Sequence, residues 1–482
     1  MRNRKKKSRI RKFFPALLLL AVVWLAAGAL LPFIRYQEVT EETRQAFDLA
    51  DYGGEGPGPD RVMLLETNES ALEHRLRLMN EARSDIILST FDMRAGESTR
   101  DLLSVLWHKA EEGVDVKILV DGISGLIRME PEPLFHAAAS HPNIEIRLYN
   151  PPGLLTPWTS QGRMHDKYVI VDSRALILGG RNTFDYFLGD YDTEHKSLDR
   201  EVLVCNAAFG EEAEEESVLC EVEAYFQGVW DLDVCRKFHE GERITDRMQE
   251  EIRGLEERYQ YLQEQYADLF EKPCDYTALT CRTERVRLVC GPTGIYGKEP
   301  KVFHTITELM LHADRQVIIH TPYVVSNDDM NRRLAEVAAK VPDARIVINS
   351  VENGDNFVAS SDYQYHKKDV LDTGFALYEY DGGCSTHGKS FVIDDDLCGI
   401  GSYNFDLRST YMDTELMLVI RSEAFTAELL EAMGELERDC RLAVNETDYI
   451  VPDHITVEKA PLWKRVAWKI VGLLLQPVRC VA

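Results

Sequence analysis

The stretch "MHDKYVIVDSRALILGGRN", residues 164–182, returns some two hundred residues later as "THGKSFVIDDDLCGIGSYN", residues 386–404. Each copy has a His, a Lys two positions on, an Asp five beyond that, and a Gly pair or Gly-Ser leading to Asn. The segments around the copies recur in the same order, so the repeat is a whole domain and not a short solenoid unit. A chain of 482 residues has room for two domains of ordinary size. Buried apolar runs such as "DIILSTF", "VDVKILVDG" and "IEIRLYN" alternate with helical stretches, which predicts an α/β fold with helices on the sheet faces. Helix 98–113 is expected to start on Ser98 as its N-cap and to stop at Gly113.

Outside the repeat the chain is polarised. Eight Lys and Arg crowd residues 2–12, no acidic residue occurs before Glu38, and residues 13–33 carry no charge. About 20 apolar residues cross a bilayer as a helix, so 13–34 reads as a transmembrane anchor, longer than a usual signal-peptide core. The basic flank predicts a cytoplasmic N-terminus and an extracytoplasmic body. Residues 35–60 read as a linker ending in flexible "GGEGPGPD", and 61–235 as the first lobe. Residues 236–280 read as a charged helical connector, 281–445 as the second lobe, and 446–482 as a tail. The tail sets Trp463, Val466, Ile470, Val471 and Leu474 on one side of a helix also bearing Lys464, Arg465 and Lys469. Such a helix either packs on its own domain or lies in a membrane interface.

A net charge of −26 argues against a general nucleic-acid binder. The ten cysteines show no zinc-type CxxC spacing, and Cys274 with Cys281 is the closest local pair. "GPTGIYGKE", residues 291–299, lacks P-loop spacing, and His195-Lys196 is an adjacent pair that a strand would split between faces.

On a strand, residues two apart share a face, which places His165 with Lys167 and His387 with Lys389. Imidazole beside ammonium suits attack on a phosphate whose charge must be held, and Asn182 and Asn404 can donate to its oxygens. Displacement at phosphorus through a covalent intermediate needs a nucleophile and an acid for the leaving oxygen. One motif supplies one His. Two copies facing each other supply both, so the site is expected between the lobes.

The doubled string, together with "HPNIEIRLYNP", "GSYNFDLRST" and "LWKRVAWKIVG", resembles the phospholipase D superfamily with its two HKD motifs, closest to bacterial cardiolipin synthases of the C type. The resemblance covers about residues 60–445. It implies two pseudo-symmetric phospholipase D-like α/β lobes packed face to face, with neither metal nor cofactor. It implies transfer of a phosphatidyl group from a donor phospholipid to phosphatidylglycerol through a phosphohistidine. Hydrolysis to phosphatidic acid is the near alternative; a nuclease or an inactive membrane scaffold is the remoter one. By resemblance His165 is the nucleophile and His387 the general acid and later base, with the exchanged assignment left open by the pseudo-symmetry of the halves. Lys167, Lys389, Asn182, Asn404 and Ser402 would hold phosphate oxygens. Glu201 and Glu415 would orient the histidines. Asp172 and Asp394, the motif aspartates, close the strands and order the local turns. Gly180 stands where many members have Ser, and "DYFLGDYDTEHKSL" is an insertion between Asn182 and Glu201.

Overall fold

The computed structural model describes residues 2–54, 56–211, 213–239, 241, 243–457 and 460–481. Two nine-stranded sheets carry the body. The first runs, edge to edge, Cys281–Arg282, Asp60–Leu65, Glu201–Asn206, Ala175–Gly179, Tyr168–Val171, Asp85–Thr90, Asp115–Asp121, Ile144–Tyr149 and Cys235–Lys237. The second runs Arg285–Cys290, Leu416–Arg421, Leu397–Gly401, Ser390–Ile393, Gln316–His320, Asp343–Asn349, Ala376–Tyr380, Cys440–Ala443 and Tyr449–Ile450. Eight strands correspond in order. Three central neighbours are parallel in each sheet, and the flanking strands pair antiparallel.

Strand alternation explains how one sheet serves two cores. Val169 and Val171 enter an apolar cluster beneath the helices of the first lobe, while Tyr168 and Ile170 turn to a second cluster shared with Val392, Ile400 and Leu418 of the other lobe. Phe391 and Ile393 enter the outer core of the second lobe. The lobes therefore meet face to face over a continuous apolar seam, as expected, with helices Val218–Trp230 and Glu423–Glu437 contributing to it.

Several boundaries differ from the sequence reading. Residues 35–60 are not a free linker. Tyr36, Phe47 and Tyr52 pack on the second lobe's core, Gln37 Nε2 donates to the Gly297 carbonyl at 2.6 Å, and Arg421 Nε donates to the Tyr52 carbonyl at 2.6 Å. The segment is a strap across the second lobe. Even its glycine-rich end is seated, since Gly58 N donates to the Thr283 carbonyl at 2.8 Å. The connector is one long helix, Asp246–Gln265, whose Leu255, Tyr259 and Leu262 are buried in the first lobe, followed by the short helix Ala267–Glu271. Helix Glu97–Glu111 takes its N-terminal cap from Asp185, which accepts from the Ser98 N–H and hydroxyl at 2.8 and 2.7 Å; Ser98 itself caps nothing. Gly113, with φ +94°, ends that helix as expected.

Pro15–Phe33, which runs from helix Arg2–Leu30 through the turn Leu31–Phe33, is the one segment among the described residues long and apolar enough to cross a membrane, and few side chains of that segment are covered by the rest of the chain. At the other terminus, helix Leu462–Leu475 packs on Phe357–Leu371, burying Trp468. All ten cysteines are free thiols.

Candidate active site

Both motif strands begin one residue after their lysines, at Tyr168 and Ser390, so the His-x-Lys triplets form extended lead-ins at the strand mouths. Each Lys reaches back to its own His: Lys167 Nζ donates to the His165 carbonyl at 2.5 Å, and Lys389 Nζ lies 2.8 and 2.9 Å from the two ring nitrogens of His387. At the far ends Asp172 and Asp394, with φ +54° and +52°, accept the backbone N–H groups of residues 83–85 and 314–316 at 2.8–3.1 Å. They order turns, and the structure places them away from the histidines.

The histidines are held crosswise. His165 Nδ1 lies 2.9 Å from Glu415 Oε1 of the other lobe, and His387 Nδ1 lies 2.7 Å from Asp199 Oδ2. The backbone repeats the exchange. His165 N donates to the Thr414 carbonyl and His387 N to the Leu198 carbonyl, in each case the residue before the carboxylate. Next to these bonds, Met164 bridges to Thr414, and Ser385–Thr386 pairs in parallel with Ser197–Leu198. Each half-site is thus built from one lobe's motif and the other lobe's carboxylate loop.

Glu201, expected to orient a histidine, does not reach one. The ladders pair Gly179 with Glu201 and Gly401 with Met417, so the counterpart of Glu415 is Asp199, two residues earlier. Glu201 instead accepts from Arg75 at 2.6 and 2.7 Å and lies 3.4 Å from Arg181, wholly buried. Ser402 is likewise turned from a phosphate role. Its hydroxyl donates to Glu415 Oε2 at 2.5 Å and accepts from Leu416 N at 3.0 Å. At Gly180 a Cβ would stand 2.3 Å from Asp199 Oδ1. The two halves are alternative solutions, Ser with the longer Glu and Gly with the shorter Asp. Asn182 Oδ1 accepts from Asp92 N at 3.3 Å; Asn404 Nδ2 lies 3.4 Å from the Tyr323 hydroxyl, and its Oδ1 is buried unbonded.

The electrostatics of the halves differ. Burial, then Lys167, Lys389 and His387, hold His165 well below the ordinary imidazole range, so it is neutral. Lys389 and His387 of the second motif thus contribute to this lowering from across the seam between the lobes. Burial and Lys389 also push His387 down, but ionised Asp199 opposes them. Burial raises Asp199, yet His387, Lys389 and Arg181 outweigh it and hold the carboxyl below the usual carboxylate range. Burial pushes Glu415 up to about 8, against the opposing pull of Lys167. Burial lowers Lys167 to about 7 and Lys389 to about 8. The imidazoles keep an opening, with 12% and 15% of their side chains accessible.

Sequence reasoning missed three features. Asp199 was hidden by Glu201, the acidic residue that fits the pattern of "DREVLV" better. Phe91 and Phe187 set their rings 5.1 Å from His165 and His387, one from each flank. Lys298, within the dismissed "GPTGIYGKE", is buried with Nζ unbonded, lowered by burial to about 8, and feels Asp413, Asp166 and Glu415. His195 lies apart, against Tyr186.

The family model described as "Cardiolipin synthase, PLD-like domain" matches residues 76–195 and 306–436. Cardiolipin synthase C of Escherichia coli K12 is 26% identical over 87% of this chain and 96% of its own length. A cardiolipin synthase of Clostridium perfringens is 24% identical over 75% of this chain and 67% of its own. The crystal structure of phosphatidylserine synthase from Haemophilus influenzae superposes with a TM-score of 0.61 at 15% identity, covering 91% of this chain and all of that one, a likeness of fold. With doubled sheets, crosswise half-sites and a family match over both lobes, this chain belongs to the cardiolipin synthase family of phospholipase D-like proteins.

Proposed function

We propose that the protein transfers a phosphatidyl group between phospholipids, with phosphatidylglycerol as acceptor and a second phospholipid as donor. The observation that carries this reading is the unequal pair of crosswise histidines. Neutral His165, steered by Glu415, attacks the donor phosphorus through Nε2 and forms a phosphorus–nitrogen bond as the phosphorus–oxygen bond to the donor headgroup breaks. His387, beside ionised Asp199, is the residue able to hold a proton and delivers it to the departing alkoxide. The acceptor hydroxyl then returns its proton to His387 while its oxygen displaces His165. Lys167, Lys389 and the amide groups of Asn182 and Asn404 surround the phosphoryl oxygens and offset the charge that builds on them. Water in place of the acceptor alcohol gives phosphatidic acid instead. The family membership and the two synthase relatives support a lipid substrate.

The test is lipid mass spectrometry of the purified full-length protein with phosphatidylglycerol-containing vesicles, wild type beside His165→Ala and His387→Ala. A diphosphatidyl lipid formed by the wild type and by neither variant is the expected result. Phosphatidic acid as sole product would assign hydrolysis, and product from His165→Ala would remove that residue from the chemistry.

A further inference from the structure

Three apolar segments gather where the N-terminal helix meets the body. Trp24 packs edge-on against Trp158 at 5.9 Å, and Gly28 sits so close to Pro157 that a Cβ would stand 2.4 Å from its ring. Trp24 is the midpoint of the Pro15–Phe33 segment, nine residues or roughly 13 Å from its end at Phe33. If that segment spans a bilayer, the loop around Trp158 reaches past the headgroups into the acyl region. The same loop carries Leu154 and Leu155, which are 78% and 85% exposed. On the other flank, the turn Gln476–Val481 touches the N-terminal helix and continues helix Leu462–Leu475. Trp468 of that helix is buried against Phe357, yet Leu462, Trp463, Val466, Ile470, Leu473 and Leu474 remain exposed. Lys464 lies over the Trp468 ring, and Arg465 and Lys469 add positive charge to a chain whose net charge is −26.

We propose that loop 153–159 and the exposed face of helix Leu462–Leu475 are seated in an anionic phospholipid bilayer alongside the anchor, so that the catalytic cleft is held against the lipid surface. This deepens the proposed function and rests on it for the identity of the substrate, though not for the docking itself. A helix that exposes Trp463 and several leucines and also carries Lys464, Arg465 and Lys469 has the composition of an interfacial element. The loop leads within seven residues from Trp158 to His165. On the other side Tyr36, just past the anchor, packs at a tilt on Tyr411 with ring centres 4.5 Å apart, and the helix of Tyr411, Leu407–Tyr411, lies between Asn404 and Glu415. Arg408 of this helix binds Gln161 of the loop at 2.9 Å. Both half-sites are thereby tied to the point where the chain leaves the membrane.

Full-length protein in anionic nanodiscs, carrying p-benzoylphenylalanine in place of Leu155, Trp463 or Asp395 in turn, is irradiated and analysed for lipid adducts by mass spectrometry. Asp395 is the control, exposed in the turn at the far end of the second motif strand. Lipid adducts at 155 and 463 exceeding those at 395 by about tenfold are expected; equal labelling overturns the proposal. In parallel, the Leu154→Asp/Leu155→Asp variant is assayed on vesicles and on monomeric short-chain phosphatidylglycerol. Loss of about tenfold or more on vesicles with retention on the soluble lipid is expected, since two leucines leave the acyl region. Equal loss on both overturns the role of the loop. If the wild type transfers nothing from either lipid, the proposed reaction fails, and the adducts still decide the docking.

Discussion

His165 and Glu415 stand 250 residues apart in sequence and 2.9 Å apart in space, and the bond between them crosses from one lobe to the other. His387 and Asp199 make the reciprocal bond at 2.7 Å. On the proposed mechanism, the acidic group on Nδ1 sets which ring nitrogen faces the phosphate and steadies any positive charge that forms there.

Glu415→Gln keeps an acceptor at Oε1 but replaces the oxygen that takes the Ser402 hydroxyl with an amide nitrogen and removes the charge available to steady the His165 ring. Turnover is expected to fall by about 10²–10⁴ with KM changed little, because the interaction acts on the reacting ring and not on lipid binding. A change confined to KM would contradict this role.

Asp199 acts differently, by raising the proton affinity of a histidine that burial and Lys389 lower. Removing its charge in Asp199→Asn drops the His387 pKa further. Protonated His387 then disappears at lower pH, so the alkaline limb of the pH–kcat/KM profile should move acidward by about one unit. An unmoved limb would show that His387 is not the acid.

Glu201→Gln separates the buried Arg75 and Arg181 from their charge partner without touching either histidine. Breaking such a buried pair costs about 3–5 kcal/mol, visible in denaturant unfolding, while kcat per folded molecule should hold. The reverse pattern would return Glu201 to the active site.

Gly180→Ser places a side chain in the space of the Asp199 carboxylate. Activity is expected to fall by about tenfold or more, although Ser is the residue found at the counterpart, Ser402. Adding Asp199→Glu recreates the Ser402–Glu415 pairing in the first lobe and should recover part of the loss. A harmless single variant would mean the two solutions are interchangeable.

Lys167 and Lys389, brought by burial to about 7 and about 8, are partly neutral in the free site near pH 8. A bound phosphate ester favours their charged forms, so both pKa values rise on binding and the protein takes up protons between about pH 7 and 9. Calorimetry of a non-hydrolysable phosphatidyl analogue in buffers of different ionisation enthalpy should read this as net uptake. Net release would overturn the sign.

The doubled motif made both sheets and both histidines readable, since strand alternation and an identical spacing of His, Lys, Asp and Asn are local signals. The turn role of Asp172 and Asp394 was readable for the same reason. The crosswise pairing was not, because no local pattern tells which lobe a carboxylate will face. Glu201 displaced Asp199 in the reading because the ladder register Gly179–Glu201, which moves the counterpart of Glu415 back by two residues, exists only once the strands have paired. The strap 36–52 read as a linker because its contacts with Gly297, Glu299 and Arg421 lie some 250 to 370 residues away. Ser98 looked like a cap because Asp185, which satisfies that helix end, comes from the insertion 88 residues downstream.

Exchange of carboxylates between lobes also bears on how the chain is made. A ribosome that has released residues up to about 250 has produced a first lobe with His165, Lys167 and Asn182, attached to the N-terminal helix. That lobe has no group on the His165 ring and no acid opposite it, because Glu415 and His387 are still untranslated. On the reaction proposed above, a nascent or truncated product would be silent toward surrounding lipids until synthesis has passed residue 415 and the lobes have closed.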